Sequence, residues 1–142
     1  MINKIFPLCL VVYLGCGGTT QAPPTLSDKF HDIQTQTFTN SCANGGCHDA
    51  VTQQAQLCLT KDSCYNQLMY THQMQNYAAT QKYKALIVPF KPDSSFLYEK
   101  IVDASLTIGS PMGERMPQRQ NPLPQNQIDA IKSWILRGAP ND

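Results

Sequence analysis

The chain has 142 residues, a formal net charge of +1 and 15% charged residues. This length fits one folded domain with appended segments. Proteins that bind nucleic acid usually carry a basic stripe, so the near-neutral charge argues against a nucleic-acid partner. Composition alone therefore does not indicate the function, and the evidence for it comes from local motifs.

The first residues are typical of a bacterial targeting signal. Lys4 supplies a positive charge, and residues 5–14 form an uncharged apolar run that is too short to span a bilayer comfortably. Residues 13–16, Y-L-G-C, resemble a lipobox, in which the cysteine receives a lipid after cleavage. We expect residues 1–15 to be a lipoprotein signal peptide and Cys16 to be the lipid anchor. This predicts an outer-membrane lipoprotein of the cell envelope, on the periplasmic side or the outer surface; plain secretion and an uncleaved anchor are the alternatives.

Residues 16–28 are rich in Gly, Thr and Pro, which predicts a flexible tether before a domain over residues 29–142. Within that domain no alternation of apolar and polar residues demands a sheet, and the apolar spacing is helical. The first predicted helix follows Ser27, a favourable N-cap, and runs into a cysteine-containing loop. Its apolar face consists of Phe30, Ile33, Thr37 and Phe38.

Residues 42–48, C-A-N-G-G-C-H, carry the strongest chemical signal in the chain. Two thiols followed at once by an imidazole are what covalent haem attachment needs, because each thiol can add across a vinyl group and the imidazole can reach the iron. The usual spacing places two residues between the cysteines, and here there are four. Gly45 and Gly46 suit a wider loop, since glycine reaches backbone angles that other residues avoid. We therefore predict a covalent haem c held by Cys42 and Cys47, with His48 as an iron ligand.

The other domain cysteines, Cys58 and Cys64, are compatible with a local disulfide in an oxidising compartment. A haem-free domain in which all four domain cysteines form two disulfides is the alternative. An iron–sulfur site, a zinc site and a Cys/His hydrolase fit less well: no third cysteine stands two residues after Cys47, zinc would crowd Cys47 and His48 onto one ion, and nothing marks a distant base.

Three helices are predicted in the rest of the chain. Thr60 is a favourable N-cap for a helix over residues 61–70, and Asp93 or Ser94 caps the next. The last begins at Pro124 and stops at Gly138. Their inward-facing residues are predicted to be Tyr65, Leu68 and Met69 in the first; Leu97, Ile101 and Val102, with Phe96 or Tyr98, in the second; and Ile128, Ile131, Trp134 and Ile135 in the third.

Two stretches between these helices are predicted without regular structure. Residues 71–84 are polar and receive no assignment, and residues 109–124 hold too many Gly and Pro for a helix or a strand. The expected fold is thus all-α, a small domain of four or so helices with long loops that wrap one haem.

A sixth iron ligand decides the chemistry of a haem, because Met or His gives an electron carrier and an open position permits ligand binding. Met112 and Met116 lie in the Pro-rich loop, and Pro117 stiffens the backbone next to Met116. We predict Met116 as the ligand, with Met112, His72 or an open position as alternatives. His31 and His72 are otherwise expected to be exposed.

The cysteine loop and the C-terminal stretch together resemble small cytochrome c domains of the bacterial envelope, over nearly all of residues 30–140. The resemblance implies the same ligands: Cys42 and Cys47 as thioether sites, with His48 and Met116 on the iron. The chain departs from the family pattern in its long polar segment 71–84 and in Phe90, where Gly is common. The matching motifs are C-A-N-G-G-C-H, L-C-L-T at residues 57–60 before Tyr65, residues 88–95, Met116-Pro117, Pro122-Leu123, and W-I-L-R-G-A at residues 134–139.

These motifs predict a mono-haem electron carrier rather than an enzyme, with weakly and transiently bound redox partner proteins. We expect electrons to enter near Asn44 and Gly45, and we expect His48 to donate its second ring N–H to a backbone carbonyl. A haem subunit of an oxidoreductase or a peroxidase-like enzyme is the alternative, and Arg115 and Arg119 flank Met116. Phe38, Leu97, Ile128, Ile131 and Trp134 are the predicted walls of the haem pocket.

Overall fold

A computed structural model describes residues 25–71 and 77–142. The signal segment, Cys16, most of the tether and His72 therefore lie outside the described residues. Within those two ranges the protein is helical and has no β-strand, apart from an isolated parallel bridge between Ala85 and Ser95. The predicted all-α class is confirmed. No helix in the same ranges combines the length and the apolar character that a bilayer crossing requires.

The first helix, α1 (Phe30–Ile33), continues directly as a π-helical segment, Gln34–Cys42, which ends at the first cysteine of the loop. Its predicted apolar face is confirmed, since Phe38 and the other three residues of that face are all buried. The helix begins at Phe30 rather than directly after Ser27. The last residue of the chain caps it: the Asp142 carboxylate accepts the Phe30 N–H at 2.9 Å, and the Asp142 backbone oxygen accepts the His31 N–H at 2.9 Å.

The middle of the chain forms two short helices. The helix α2 (Cys64–Asn66) continues as a π-helical segment, Gln67–Thr71, and α3 (Tyr77–Lys82) follows in the stretch that received no assignment from the sequence. The predicted helix start after Thr60 is instead a turn, in which the Thr60 carbonyl accepts the N–H groups of Ser63 and Cys64. Two single 3₁₀ turns, Gln54–Gln56 and Pro92–Ser94, complete these connections.

The helix α4 (Phe96–Val102) starts after Ser95, one or two residues later than predicted. The Ser95 hydroxyl is committed to the preceding turn, where it accepts the Val88 N–H at 2.8 Å and donates to the Lys91 carbonyl at 2.9 Å. Leu97 and Ile101 face the core as predicted, but Val102 is 37% exposed and that prediction is wrong. Because each helical residue turns about 100°, the position after Ile101 leaves the face that Leu97 and Ile101 share.

The helix α5 (Gln125–Leu136) matches its prediction, with Pro124 at its start and its whole apolar stripe buried. Trp134 is fully buried, its ring centroid lies 5.2 Å from that of Phe30, and its Nε1–H donates to the Pro140 carbonyl at 2.8 Å. Gly138 ends the helix at a φ of +94°, and a Cβ at this position would lie 2.6 Å from the Phe90 ring. Packing of α5 on α1 thus forms one side of the core.

The residues between α4 and α5 form no helix or strand, which confirms the prediction for residues 109–124. Hydrogen bonds between backbone groups organise this loop instead. The Arg115 N–H donates to the Leu106 carbonyl at 2.7 Å, and the Met116 N–H donates to the Lys100 carbonyl at 2.6 Å. The loop is therefore tied back to α4, on the side of the core that faces the cysteine loop.

Candidate functional site

The four residues predicted to carry the chemistry meet at one place. Cys42, Cys47, His48 and Met116 all line a cavity of about 320 Å³. Cys42 comes from the end of the first helix, Cys47 and His48 come from the loop after it, and Met116 comes from the Pro-rich loop more than sixty residues later. This volume lies at the lower end of the range for small-molecule sites, about 300–1,000 Å³.

Backbone hydrogen bonds close the cysteine loop. The His48 N–H donates to the Cys42 carbonyl at 3.1 Å, and the Cys47 N–H donates to the Asn44 carbonyl at 2.9 Å. Gly46 lies in the left-handed region with a φ of +87°, which explains why the loop needs a glycine there. The two thiols are thus set at the ends of one tight turn, with Asn44 and Gly45 exposed at its tip.

Asp49 organises the loop from the other side, and sequence reasoning did not single it out. One carboxylate oxygen accepts the Gly46 N–H at 2.9 Å, and the other accepts the N–H groups of Val51 at 2.7 Å and Thr52 at 2.9 Å. These N–H groups, that of Thr52 first, lower the pKa of the Asp49 carboxyl to about 2. An Asp at the start of a turn, where its side chain can accept the N–H groups two and three residues later, is the local signal that could have revealed this role.

His48 is held by its ring as well as by its backbone. Its Nδ1 lies 3.2 Å from the carbonyl oxygen of Leu57, and its own carbonyl accepts the Leu59 N–H at 2.8 Å. A carbonyl only accepts, so Nδ1 carries the hydrogen and Nε2 keeps its lone pair. The predicted hydrogen bond from His48 to a backbone carbonyl is confirmed. Burial lowers the pKa of the imidazole, which keeps the ring neutral and able to ligate a metal.

The four domain cysteines are free thiols in this structure. Burial, and to a smaller extent the neighbouring Cys47, raises the pKa of the Cys42 thiol to about 12, so this group is protonated at neutral pH. The Sγ atom of Cys58 lies 3.2 Å from the Thr60 hydroxyl, and Cys64 is fully buried. The local disulfide that the sequence allows between Cys58 and Cys64 is therefore not formed here.

Both candidate thioethers reach the cavity. Met112 and Met116 are half-buried and both line it, so the preference for Met116 stays a prediction. Pro117, next to Met116, is buried and also lines the cavity, whereas Arg115 and Arg119 do not line it. His31 is exposed, as predicted.

The predicted walls of the cavity are right in part. Phe38 and Leu97 line it, but Ile128, Ile131 and Trp134 do not, because the apolar face of α5 is used for packing in the core. An apolar stripe indicates which face of a helix is buried, but it does not indicate which part of the protein packs against that face. Six larger apolar residues that the sequence analysis did not name as walls also line the cavity: Leu57, Leu59, Leu86, Phe96, Ile101 and Leu123.

Lys100 is the unexpected residue of this site. It is 9% exposed and lines the cavity from α4, and its Nζ donates to the carbonyls of Met112, at 3.2 Å, and Glu114. The same atom lies 5.8 Å from the centre of the Phe96 ring. Burial lowers the pKa of this ammonium, against an opposing effect of Glu114.

The donors at the cavity are of the kinds that could hold a covalently bound haem. In the described part of the chain, no three His, Cys, Asp or Glu side chains are arranged to hold one ion. A haem takes its covalent bonds at the ring edge and its axial ligands at the ring centre, so its donors need not converge on one point. Two thiols, a neutral imidazole and a thioether around a mainly apolar chamber match that requirement.

Searches of protein-family models, curated proteins and solved structures return no match for this chain.

Proposed function

We propose that the protein is a mono-haem c-type cytochrome that transfers single electrons in the cell envelope. The observation that carries the proposal is the convergence of Cys42, Cys47, His48 and Met116 on one apolar cavity. The orientation of His48 adds to it, because the Leu57 carbonyl holds the Nδ1 hydrogen and leaves Nε2 for the iron. The helices and long loops around the cavity are then a small cytochrome c-like domain.

Each residue has a distinct part in this function. Cys42 and Cys47 would hold the haem c through thioether bonds, and His48 and Met116 would ligate its iron. The bound haem supplies the one-electron chemistry, between ferric and ferrous iron. The chain supplies an apolar chamber and a thioether donor, which both disfavour the additional positive charge of the ferric state. We therefore expect a positive reduction potential.

The surroundings of the loop suggest how electrons reach the site. Asn44 and Gly45 are exposed at the tip of the loop, next to the two attachment points. Few charges lie on this edge, so we expect redox partner proteins to dock weakly and transiently. Anchoring through lipidated Cys16, outer-membrane localisation and a role as a carrier rather than an enzyme, with no nucleic-acid partner, complete the proposal.

The decisive experiment is expression of the full chain in a bacterial host with a haem-attachment system. We expect a coloured product whose denatured mass exceeds that of the mature polypeptide by one haem and which takes up one electron reversibly. The double variant Cys42→Ala/Cys47→Ala should lose this mass and colour, and Cys58→Ala, which removes a thiol outside the loop, should keep both.

A colourless wild-type product without the additional mass of a haem would overturn the proposal. If the mass of that product were lower than expected by four hydrogens, two disulfides would be present and the haem-free lipoprotein would replace the cytochrome. A coloured product that turns over peroxide would favour the enzyme alternative instead.

A further inference from the structure

Lys100 is a charged side chain in an apolar place. It lies on α4 among Phe96, Leu97 and Ile101, and only 9% of its surface is exposed. Burial of an ammonium is costly unless its donors are satisfied. A residue that only filled the space between α4 and the cavity could be apolar, so the charge calls for a specific explanation.

The explanation lies in what Lys100 holds. Its Nζ donates to the carbonyls of Met112 and Glu114, and its own backbone carbonyl accepts the Met116 N–H at 2.6 Å. One residue of a helix thus contacts three positions of a loop that has no regular structure of its own. Gly113, between the two carbonyls, leaves room for the ammonium, since a Cβ there would lie 3.2 Å from Nζ.

We propose that Lys100 is the positioning residue for the sixth iron ligand, because it ties residues 112–116 to α4 and so presents the Met116 thioether to the cavity. This inference rests on the proposed function. A ligand on an untied loop loses affinity for the iron, since the loop must be ordered each time the bond forms.

The charge of Lys100 acts on the same chamber. Lys100 and His48 line the same cavity, so the ammonium lies beside the chamber that the iron would occupy. A fixed positive charge beside the chamber disfavours ferric iron more than ferrous iron. Lys100 therefore has two separable effects: it attaches the loop of residues 112–116 to α4, and it raises the reduction potential.

Two variants separate these effects. Lys100→Met keeps the length and the apolar packing of the side chain but deletes the ammonium, and Lys100→Gln keeps a hydrogen-bond donor without the charge. Lys132→Met, at an exposed site on α5, is the matched control. Amide hydrogen exchange at Gly113 and Met116 is measured with and without haem, and imidazole affinity and potential are measured on the oxidised haem protein.

We expect Lys100→Met to bind imidazole about tenfold more tightly than wild type, as the loss of a hydrogen bond to a charged group implies, with faster exchange at both amides. Both Lys100 variants should have a lower reduction potential than wild type, because both lack the positive charge. In Lys100→Gln, the exchange rates and the imidazole affinity should lie between those of Lys100→Met and wild type. Lys132→Met should behave as wild type. Unchanged imidazole affinity and unchanged exchange in both Lys100 variants would overturn the inference.

Failure of the inference is distinct from failure of the proposed function. If wild type carries no haem, the proposed function fails, and the positioning role fails with it. The exchange data on the haem-free chain still decide whether Lys100 ties the loop. If wild type carries haem and the variants behave as wild type, only the role of Lys100 is wrong.

Discussion

The ring of His48 donates its Nδ1 hydrogen to the carbonyl oxygen of Leu57, over a distance of 3.2 Å. A backbone hydrogen bond joins the same two segments, because the Leu59 N–H donates to the His48 carbonyl. The imidazole is therefore fixed from outside the cysteine loop, by a segment that also supplies apolar wall residues to the cavity. Hydrogen bonds within the chain alone set the orientation and the tautomer of the ring.

A first prediction concerns this tautomer. In the haem-free protein we expect ring ¹⁵N NMR to show His48 as the neutral Nδ1–H form at pH 7, with a pKa below the ordinary value because burial disfavours the charged ring. Since the folded-state pKa is lowered, the stability linked to this group is present above about pH 6.5 and is lost as the pH falls further. Exposed His31 gives a reference resonance in the same spectrum. An Nε2–H tautomer would contradict the structure.

A second prediction compares the two methionines at the cavity. In the oxidised haem protein we expect Met116→Ala to convert the iron to a high-spin form that binds added imidazole, because the thioether leaves a vacant position. Met112→Ala removes the other lining methionine and should keep the low-spin spectrum. The reverse pattern would make Met112 the ligand, and two low-spin variants would exclude both residues.

A third prediction concerns Asp49. Replacement by Ala leaves the N–H groups of Gly46, Val51 and Thr52 without their shared acceptor. We expect Asp49→Ala to lower the thermal stability of the haem-free protein and the fraction of chains that acquire haem. Asp49→Asn should be intermediate, since its amide oxygen still accepts. Asp93→Ala, at an exposed site, is the control, and equal haem yields in all variants would refute an organising role.

A fourth prediction tests the end of α5. Gly138→Ala places a side chain at a φ of +94° and its Cβ 2.6 Å from the Phe90 ring. We expect a loss of about 1–2 kcal/mol in the free energy of unfolding from the left-handed backbone alone, and a further loss from displacement of the ring. The same substitution in a Phe90→Ala background should cost less. Equal costs in the two backgrounds, measured by denaturant unfolding, would mean that the ring moves away freely.

The sequence was most informative where residue type and spacing alone decide the structure. The run C-A-N-G-G-C-H marked the loop, the Gly- and Pro-rich stretch marked the irregular segment, and the stripe of α5 was long enough to define a helix with its buried face. These features depend on contacts within a short stretch of chain. Residues from such stretches account for all four predicted members of the site.

The parts that escaped prediction depend on contacts between distant segments. Lys100 shares the buried face of α4 by its helical spacing, but a lysine is usually exposed, and the sequence does not show that the loop around Met112 and Glu114 supplies acceptors for its ammonium. The same reason explains why the cavity walls predicted on α5 were wrong: Trp134 packs against α1 and does not line the cavity. Periodicity identifies a buried face, but topology decides what that face contacts.

The cap that Asp142 places on α1 has a consequence for protein engineering. Because the carboxylate and the backbone oxygen of Asp142 accept the N–H groups of Phe30 and His31, residue 142 and the start of α1 are adjacent in space. The domain is therefore a natural candidate for circular permutation. A short linker would join residue 142 to the segment before α1, and new termini could be opened near the exposed Ile108 without cutting a helix.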